Sequence, residues 1–178
     1  MGKTEIATFG GGCFWCIEAA LNKVKGVITA VSGYSGGHRE NPSYQQIITG
    51  VTGHAEVVQV TFDPLLISYE QLLSMFYQLH DPTTLNRQGN DIGPQYRSIV
   101  LYHNDTQKKI AIRFIEKLTE SEVFSNKVTT ELKHFEAFYP AEEYHQGYAI
   151  KNPEQPYCAI LIGPKLALFE DKYRDWIK

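Results

Sequence analysis

Three consecutive glycines join an apolar run to a helical pattern in the stretch Phe9-Gly10-Gly11-Gly12-Cys13-Phe14-Trp15-Cys16. Residues 6–9 are typical of a strand, and apolar residues recur at helical spacing directly after the glycines. Gly26 stands where a C-terminal helix cap is expected. The pattern therefore predicts a strand, a glycine turn and a helix over residues 13–25.

Cys13 is predicted to lie in or next to the first turn of this helix. Unpaired backbone N–H groups and the positive end of the helix dipole stabilise a thiolate there. Cysteines so placed can have pKa values well below the ordinary value of about 8.5. Free cysteines are more often inert and buried, but the glycine turn and the aromatic pair Phe14-Trp15 favour a reactive thiol beside an apolar pocket.

The bulk composition is that of an ordinary globular protein. The chain has 178 residues, of which 43% are hydrophobic and 21% charged, so we expect one domain over 1–178 and no disorder. A net charge of −3 argues against nucleic-acid or anionic-membrane binding. No apolar run reaches membrane length and no signal-peptide core is visible, so a cytoplasmic location is expected. Three cysteines are too few for a disulfide scaffold and indicate redox or nucleophilic chemistry.

The order of the predicted elements indicates an α+β fold. A two-layer ferredoxin-like αβ plait (β-α-β-β-α-β) fits that order, with peripheral helices and a C-terminal segment, residues 136–156, that wraps the body. Residues 83–95 form a polar, turn-rich loop of the kind that often carries function. The predicted strands cover residues 5–9, 27–34, 56–62, 98–102 and 127–132. Three predicted helices cover residues 13–25, 43–48 and 166–177. Two further helices are predicted from their ends: one begins at Ser68 and stops before Asp81-Pro82, and the other is capped by Asn104 or Asp105.

Glu56 begins a strand that alternates cleanly between two faces. Val58, Val60 and Phe62 share one face, and Glu56 has the parity of that apolar face. A carboxyl there must be paired, protonated or placed at the rim of a cavity.

Several separated blocks of sequence, in the same order, resemble the peptide methionine sulfoxide reductases of the A type. The likeness extends from Ala7 to about Cys158. One block alone would be weak, but their joint occurrence is specific. The blocks are Gly12-Cys13-Phe14-Trp15, Gly33-Tyr34-Ser35-Gly36-Gly37, Gly53-His54-Ala55-Glu56-Val57, His80-Asp81-Pro82-Thr83-Thr84, Asn86-Arg87-Gln88-Gly89-Asn90-Asp91, Gln95-Tyr96-Arg97-Ser98 and Tyr144-His145-Gln146.

The resemblance implies repair of oxidised proteins during oxidative stress, by reduction of the S epimer of methionine sulfoxide, free or in a polypeptide. It implies that the Cys13 thiolate attacks the sulfoxide sulfur and that Glu56 protonates the oxygen. Desolvation on the apolar face gives a physical reason for a protonated Glu56 near neutral pH. By position in the family pattern, Tyr44 and Tyr96 donate hydrogen bonds to the oxygen, Phe14 and Trp15 hold the S-methyl group, and Asp91 holds water or the substrate backbone.

The product on Cys13 is a sulfenic acid that a second thiol must clear. Two candidates remain open, Cys16 and Cys158, and the two could also act in relay. Cys16 is favoured because it lies three residues from Cys13 on roughly one helix face, whereas Cys158 lies in an apolar, proline-flanked setting. Thioredoxin or another dithiol is expected to restore the enzyme, with no cofactor, no metal and a monomeric chain.

Two other functions compete with this interpretation. A general thiol–disulfide oxidoreductase also places Cys-x-x-Cys at a helix start, but the order of elements disagrees. A metal-binding module needs a second closely spaced Cys/His pair, and the six histidines are scattered. Neither function explains the loop from Asn86 to Ser98.

Overall fold

A computed structural model describes residues 2–178 of the chain as a mixed α+β fold built on a curled six-stranded sheet, which confirms the predicted class. No helix within this range combines the length and apolarity needed to cross a membrane. In chain order the elements are β1 (Glu5–Gly10), α1 (Phe14–Asn22), β2 (Val27–Ser35), α2 (Tyr44–Ile47), β3 (Ala55–Phe62), α3 (Tyr69–Gln78), β4 (Arg87–Gln88), β5 (Asp91–Ile92), β6 (Ile99–Tyr102), α4 (Asp105–Glu120), β7 (Glu131–His134), β8 (Phe138–Pro140), α5 (Tyr148–Lys151) and α6 (Gly163–Lys172).

The sheet has the strand order β7-β6-β1-β3-β2-β8. Every neighbouring pair is antiparallel except β6 and β7, which are parallel. Strand β1 lies inside the sheet, and Phe9 at its end pairs with Val58 of β3. This register brings the glycine turn that follows β1 close to the start of β3, where Glu56 lies.

The main core fills the space between the sheet and the helices α1 and α3. Phe9 of β1 stacks on Phe76 of α3 with ring centroids 5.0 Å apart, and Val58 and Val60 of β3 are fully buried beside them. The other face of β3 packs into a smaller cluster through Val57. The predicted alternation along β3 is therefore observed, and Glu56 lies on the main-core side.

Side-chain caps begin two of the helices where the sequence predicted them. Ser68 accepts a hydrogen bond from the Gln71 N–H, and the Gln71 side chain reciprocates, so α3 opens with a complete capping box. Asn104 accepts from the Gln107 N–H and opens α4. The first helix ends earlier than predicted, at Asn22, and Gly26 instead adopts a positive φ of 91° in the turn that leads to β2.

The C-terminal third is more ordered than the sequence indicated. The segment 136–156 contains β8, which pairs with β2, and the short helix α5. The strand predicted over 127–132 lies instead at Glu131–His134, paired to β6. A π-helix over Cys158–Ile162 precedes α6, which begins at Gly163 rather than at 166 because Pro164 fits the first helical turn.

Candidate active site

Cys13 is the N-cap residue of α1 and follows directly after the glycine turn. Gly12 has a φ of 76°, a left-handed conformation that glycine adopts without strain. The Gly12 N–H donates to the Tyr96 carbonyl oxygen at 3.1 Å. The turn therefore holds the thiol at the helix start and ties it to the loop that precedes β6.

Glu56 is buried within reach of this helix start, with only 2% of its surface exposed. Its Oε1 accepts a hydrogen bond from the Phe14 N–H at 3.2 Å. Burial, with a smaller contribution from the Asp91 carboxylate, raises the pKa of Glu56 to about 8, although the Phe14 N–H acts in the opposite direction. Glu56 is therefore a protonated acid at neutral pH.

A cavity of about 230 Å³, hereafter the Glu56 cavity, opens between the glycine turn, β3 and the loop before β6. The structure brings together here every predicted site residue except Cys16 and Cys158. Gln155 and Tyr157 complete the lining and were not predicted. The lining residues are Cys13, Phe14, Trp15, Tyr44, Glu56, Asp91, Tyr96, Gln155 and Tyr157.

Two tyrosine hydroxyls in this cavity remain protonated and can donate hydrogen bonds. Burial, followed by the Glu56 carboxyl, raises the pKa of Tyr44 to about 12 and raises that of Tyr96 as well. Glu142 fixes the position of Tyr44, because its Oε2 accepts from the Tyr44 N–H at 2.9 Å and its Oε1 from the Tyr34 hydroxyl at 2.9 Å. A substrate oxygen beside these two hydroxyls and the protonated Glu56 would meet neutral O–H donors.

The helix start does not lower the pKa of Cys13, contrary to the expectation from its position. Burial raises this pKa well above its ordinary value, and the Glu56 carboxylate raises it further. The nearby Trp15 N–H acts in the opposite direction but is outweighed. Protonation of Glu56 removes one of the charges that oppose a Cys13 thiolate, so the two groups titrate as a coupled pair.

An aromatic wall beside Trp15 comes from the C-terminal segment and was missed by the sequence reasoning. The Trp15 ring stacks on Tyr148 with centroids 3.9 Å apart, and its Nε1–H donates to His145 Nδ1 at 3.1 Å. The Tyr157 hydroxyl donates to Asp91 Oδ2 at 2.5 Å. The signals in the sequence were the Tyr144-His145-Gln146 block and the abundance of aromatic and histidine residues between 136 and 157, and neither indicated a partner for these residues.

Cys13 also lines a second cavity, of about 320 Å³, hereafter the Lys165 cavity. Cys16 lines this cavity, whereas Cys158 is buried in the π-helix and lines neither of the two. All three cysteines are free thiols, and burial raises the pKa of Cys16 to about 11. The lining residues are Gly11, Gly12, Cys13, Cys16, Leu79, Gln88, Gly89, Asn90, Asp91, Tyr157, Leu161, Ile162 and Lys165.

Comparison with known proteins finds that residues 5–176 match the family model described as peptide methionine sulfoxide reductase. The chain belongs to this family. The peptide methionine sulfoxide reductase MsrA of Saccharolobus solfataricus is 54% identical over 174 residues, which cover 98% of this chain and 97% of the relative. That of Sulfolobus acidocaldarius is 55% identical over 171 residues, covering 96% of each chain. The prediction from the sequence blocks is confirmed: the reductase is an oxidoreductase that converts methionine sulfoxide to methionine.

Solved structures of reductases also share the fold. Reduced Mxr1 of Saccharomyces cerevisiae superposes with a TM-score of 0.81 at 35% identity, covering 86% of this chain and 88% of Mxr1. Methionine sulfoxide reductase A of Corynebacterium diphtheriae superposes with a TM-score of 0.75 at 34% identity, covering 85% of this chain and 76% of that protein. Mxr1 in complex with Trx2 superposes with a TM-score of 0.59 at 28% identity, covering 82% of this chain and 85% of Mxr1. In the reductase described here, residues 2–178 contain no group of three or more His, Cys, Asp or Glu side chains arranged to hold a metal ion.

Proposed function

We propose that the reductase acts on the S epimer of methionine sulfoxide, free or in polypeptides, through Cys13 as nucleophile and Glu56 as general acid. The supporting observation is that a neutral, buried carboxyl and the thiol share one small cavity. The Cys13 thiolate attacks the sulfoxide sulfur while Glu56 protonates the oxygen. The sulfoxide is reduced to the thioether, and the Cys13 thiol is oxidised to a sulfenic acid that retains the oxygen.

The other lining residues fit supporting roles in the same cavity. Tyr44 and Tyr96 donate hydrogen bonds to the oxygen as negative charge develops on it. Phe14 and Trp15 contact the S-methyl group, and the rings behind Trp15 hold it in place. Asp91, fixed by the Tyr157 hydroxyl, holds water or the substrate backbone.

For the second half of the reaction we propose that Cys16 resolves the sulfenic acid. Cys13 is the N-cap and Cys16 lies three residues along α1, and both line the Lys165 cavity. The two thiols condense to a disulfide and release water, and thioredoxin or another dithiol then reduces the disulfide. The complex of the relative Mxr1 with Trx2 supports recycling by thioredoxin.

Cys158 is the competing resolving thiol, either directly or in relay with Cys16. Its burial and its place in the π-helix mean that residues 157–162 would have to rearrange first. Peptide mapping after a single turnover separates the candidates. We expect a Cys13–Cys16 disulfide with Cys158 free, and a Cys13–Cys158 disulfide with Cys16 free would contradict the assignment.

One assay tests the activity and the epimer. Pre-reduced protein is incubated with a blocked peptide carrying both sulfoxide epimers and with dithiothreitol, and chiral chromatography follows each epimer. We expect loss of the S epimer only, and no loss with Cys13→Ser. If folded, reduced protein consumes neither epimer, the proposed roles of Cys13 and Glu56 are wrong.

We also propose that residues 1–178 form one cytoplasmic, monomeric reductase domain whose central part is a ferredoxin-like plait. The antiparallel order β6-β1-β3-β2, with α1 and α3 on the same side, supports the plait. The family match over 5–176 supports the single domain.

A further inference from the structure

Cys13, Asp91 and Tyr157 line two cavities of different chemistry. The Glu56 cavity supplies neutral acid and hydroxyl donors, whereas the Lys165 cavity contains a second thiol, that of Cys16, and one cation. Lys165 lies in the first turn of α6 and forms no ion pair among residues 2–178. The proposed function uses only the Cys16 thiol of this second cavity and leaves its free space and its cation without a role.

The direction of thiol attack follows from where the oxygen is held. If the proposed function holds, the oxygen of the Cys13 sulfenic acid lies in the Glu56 cavity, beside Tyr44 and Tyr96. Displacement at a two-coordinate sulfur is an in-line reaction, so the incoming thiolate approaches opposite the departing oxygen. The Lys165 cavity also reaches Cys13 but is lined by none of Glu56, Tyr44 and Tyr96, so it offers a reducing thiol an approach away from the groups that hold the oxygen.

We propose that the Lys165 cavity is a binding site for a small thiol that carries a carboxylate. Lys165 would pair with the carboxylate, while Leu79 and Leu161 would contact the intervening carbon atoms and the thiol would reach Cys13. The volume of about 320 Å³ suits a small molecule. The one carboxylate in the lining, Asp91, is hydrogen-bonded to Tyr157 at the border with the Glu56 cavity.

The proposed chemistry balances with two molecules of the small thiol. The first, as a thiolate, forms an S–S bond to Cys13 while the S–O bond breaks and the oxygen leaves as water, with Glu56 as proton donor. The second attacks the sulfur of the bound small thiol, which returns the Cys13 thiol and releases the small-molecule disulfide. The resolving cysteine can instead attack the Cys13 sulfur of the mixed disulfide, which forms a disulfide between Cys13 and the resolving cysteine and releases the first small thiol unchanged; two further molecules of the small thiol then reduce that protein disulfide.

The test compares three small thiols as sole reductants of the intact protein, at saturating sulfoxide and limiting thiol. These are 3-mercaptopropionate, neutral 2-mercaptoethanol and cationic cysteamine, with rates compared at equal thiolate concentrations. We expect a preference for 3-mercaptopropionate over 2-mercaptoethanol of about threefold to fivefold, the range of an exposed ion pair. Lys165→Gln should abolish the preference, and Lys165→Glu should shift it to cysteamine.

Matched variants of Lys109, which is exposed on α4 away from both cavities, control for net charge. Lys109→Gln and Lys109→Glu should keep the wild-type preference. A wild type without the preference, or a preference that survives in Lys165→Gln, would overturn the proposed site. Turnover with dithiothreitol is measured in parallel, because its absence in the wild type would show instead that the proposed function has failed.

Discussion

The proposed roles of Glu56 and Cys13 together predict how sulfoxide reduction depends on pH. The acid must be protonated and the thiol ionised, and burial places the pKa of Cys13 well above its ordinary value, whereas that of Glu56 is about 8. Sulfoxide reduction should therefore rise with pH up to about 8 and level off above it, where each further gain in Cys13 thiolate is offset by loss of the Glu56 proton. Glu56→Gln should lower kcat by about 10²- to 10⁴-fold, and its rate should go on rising above pH 8.

Single-turnover rates between pH 5 and 10 measure this effect. Glu143→Gln, which changes an exposed carboxyl outside the Glu56 cavity, should keep the wild-type profile. A rate that still levels off near pH 8 in Glu56→Gln would assign that limit to another group.

The sequence predicted those site residues whose local pattern restricts their chemistry. Three glycines before Cys13 and the parity of Glu56 in β3 are local features, and the cavity contains both residues. The roles of Tyr157 and Glu142 were not predicted because their hydrogen-bond partners lie far away in the sequence. Tyr157 bonds to Asp91, 66 positions away, and Glu142 bonds to Tyr44, 98 positions away. The pKa of Cys13 was mispredicted because the helix start is visible in sequence, whereas the burial that outweighs it is not.

Among the elements, the C-terminal segment is held against α1 and β2 by the buried carboxyl of Glu18. Its Oε1 and Oε2 accept from the Gly147 N–H at 3.0 and 2.9 Å, and its Oε1 also accepts from the Ser32 hydroxyl at 3.0 Å. Gly147 immediately precedes α5, which begins with Tyr148, the residue stacked on Trp15. Glu18 therefore positions the aromatic wall without touching the Glu56 cavity.

Glu18→Ala should leave the Gly147 N–H and the Ser32 hydroxyl without their acceptor. We expect a loss of about 1–3 kcal/mol in the free energy of unfolding, together with a higher KM for the sulfoxide. Urea unfolding and steady-state kinetics measure the two effects. Glu116→Ala, an exposed position on α4, should change neither, and an unaltered KM in Glu18→Ala would show that the wall is positioned by other contacts.

Helix starts were predictable because their caps are local, as α3 shows. Ser68→Ala should lower the free energy of unfolding by about 1 kcal/mol with turnover unchanged, and Ser68→Asp should restore most of it. Equal stability of Ser68→Ala and wild type in urea would contradict the role of the capping box.

In contrast, β8 and the π-helix at Cys158–Ile162 depend on packing against distant strands and helices, which no local sequence pattern indicates.

At the scale of the whole molecule, two buried groups limit stability from opposite sides of the pH range. His80 bonds to the Phe76 carbonyl oxygen at 2.9 Å and to the Ser98 hydroxyl at 2.8 Å, and burial lowers its pKa to about 4. In the unfolded chain His80 is protonated below about pH 6.5, whereas in the folded chain it is protonated only below about pH 4. His80 therefore costs about 3 kcal/mol of stability as the pH falls through that window.

Glu56 acts in the alkaline direction, and this effect links activity to stability. The unfolded carboxyl loses its proton near pH 4.5, whereas the folded one keeps it up to about pH 8. Between these values the folded state binds more protons, so its stability decreases as the pH rises, by about 3 kcal/mol from pH 5 to pH 8. Glutamine has no proton to lose and keeps an oxygen for the Phe14 N–H.

Glu56→Gln should therefore have a strongly reduced kcat yet be more stable than the wild type at pH 8, with a stability difference that nearly vanishes at pH 5. Melting temperatures and urea unfolding of both proteins at the two pH values measure it, and Glu116→Gln should follow the wild type at each. A stability difference that is the same at pH 5 and pH 8 would mean that Glu56 is already ionised in the folded protein. The acid catalyst would then have to be sought elsewhere in the Glu56 cavity.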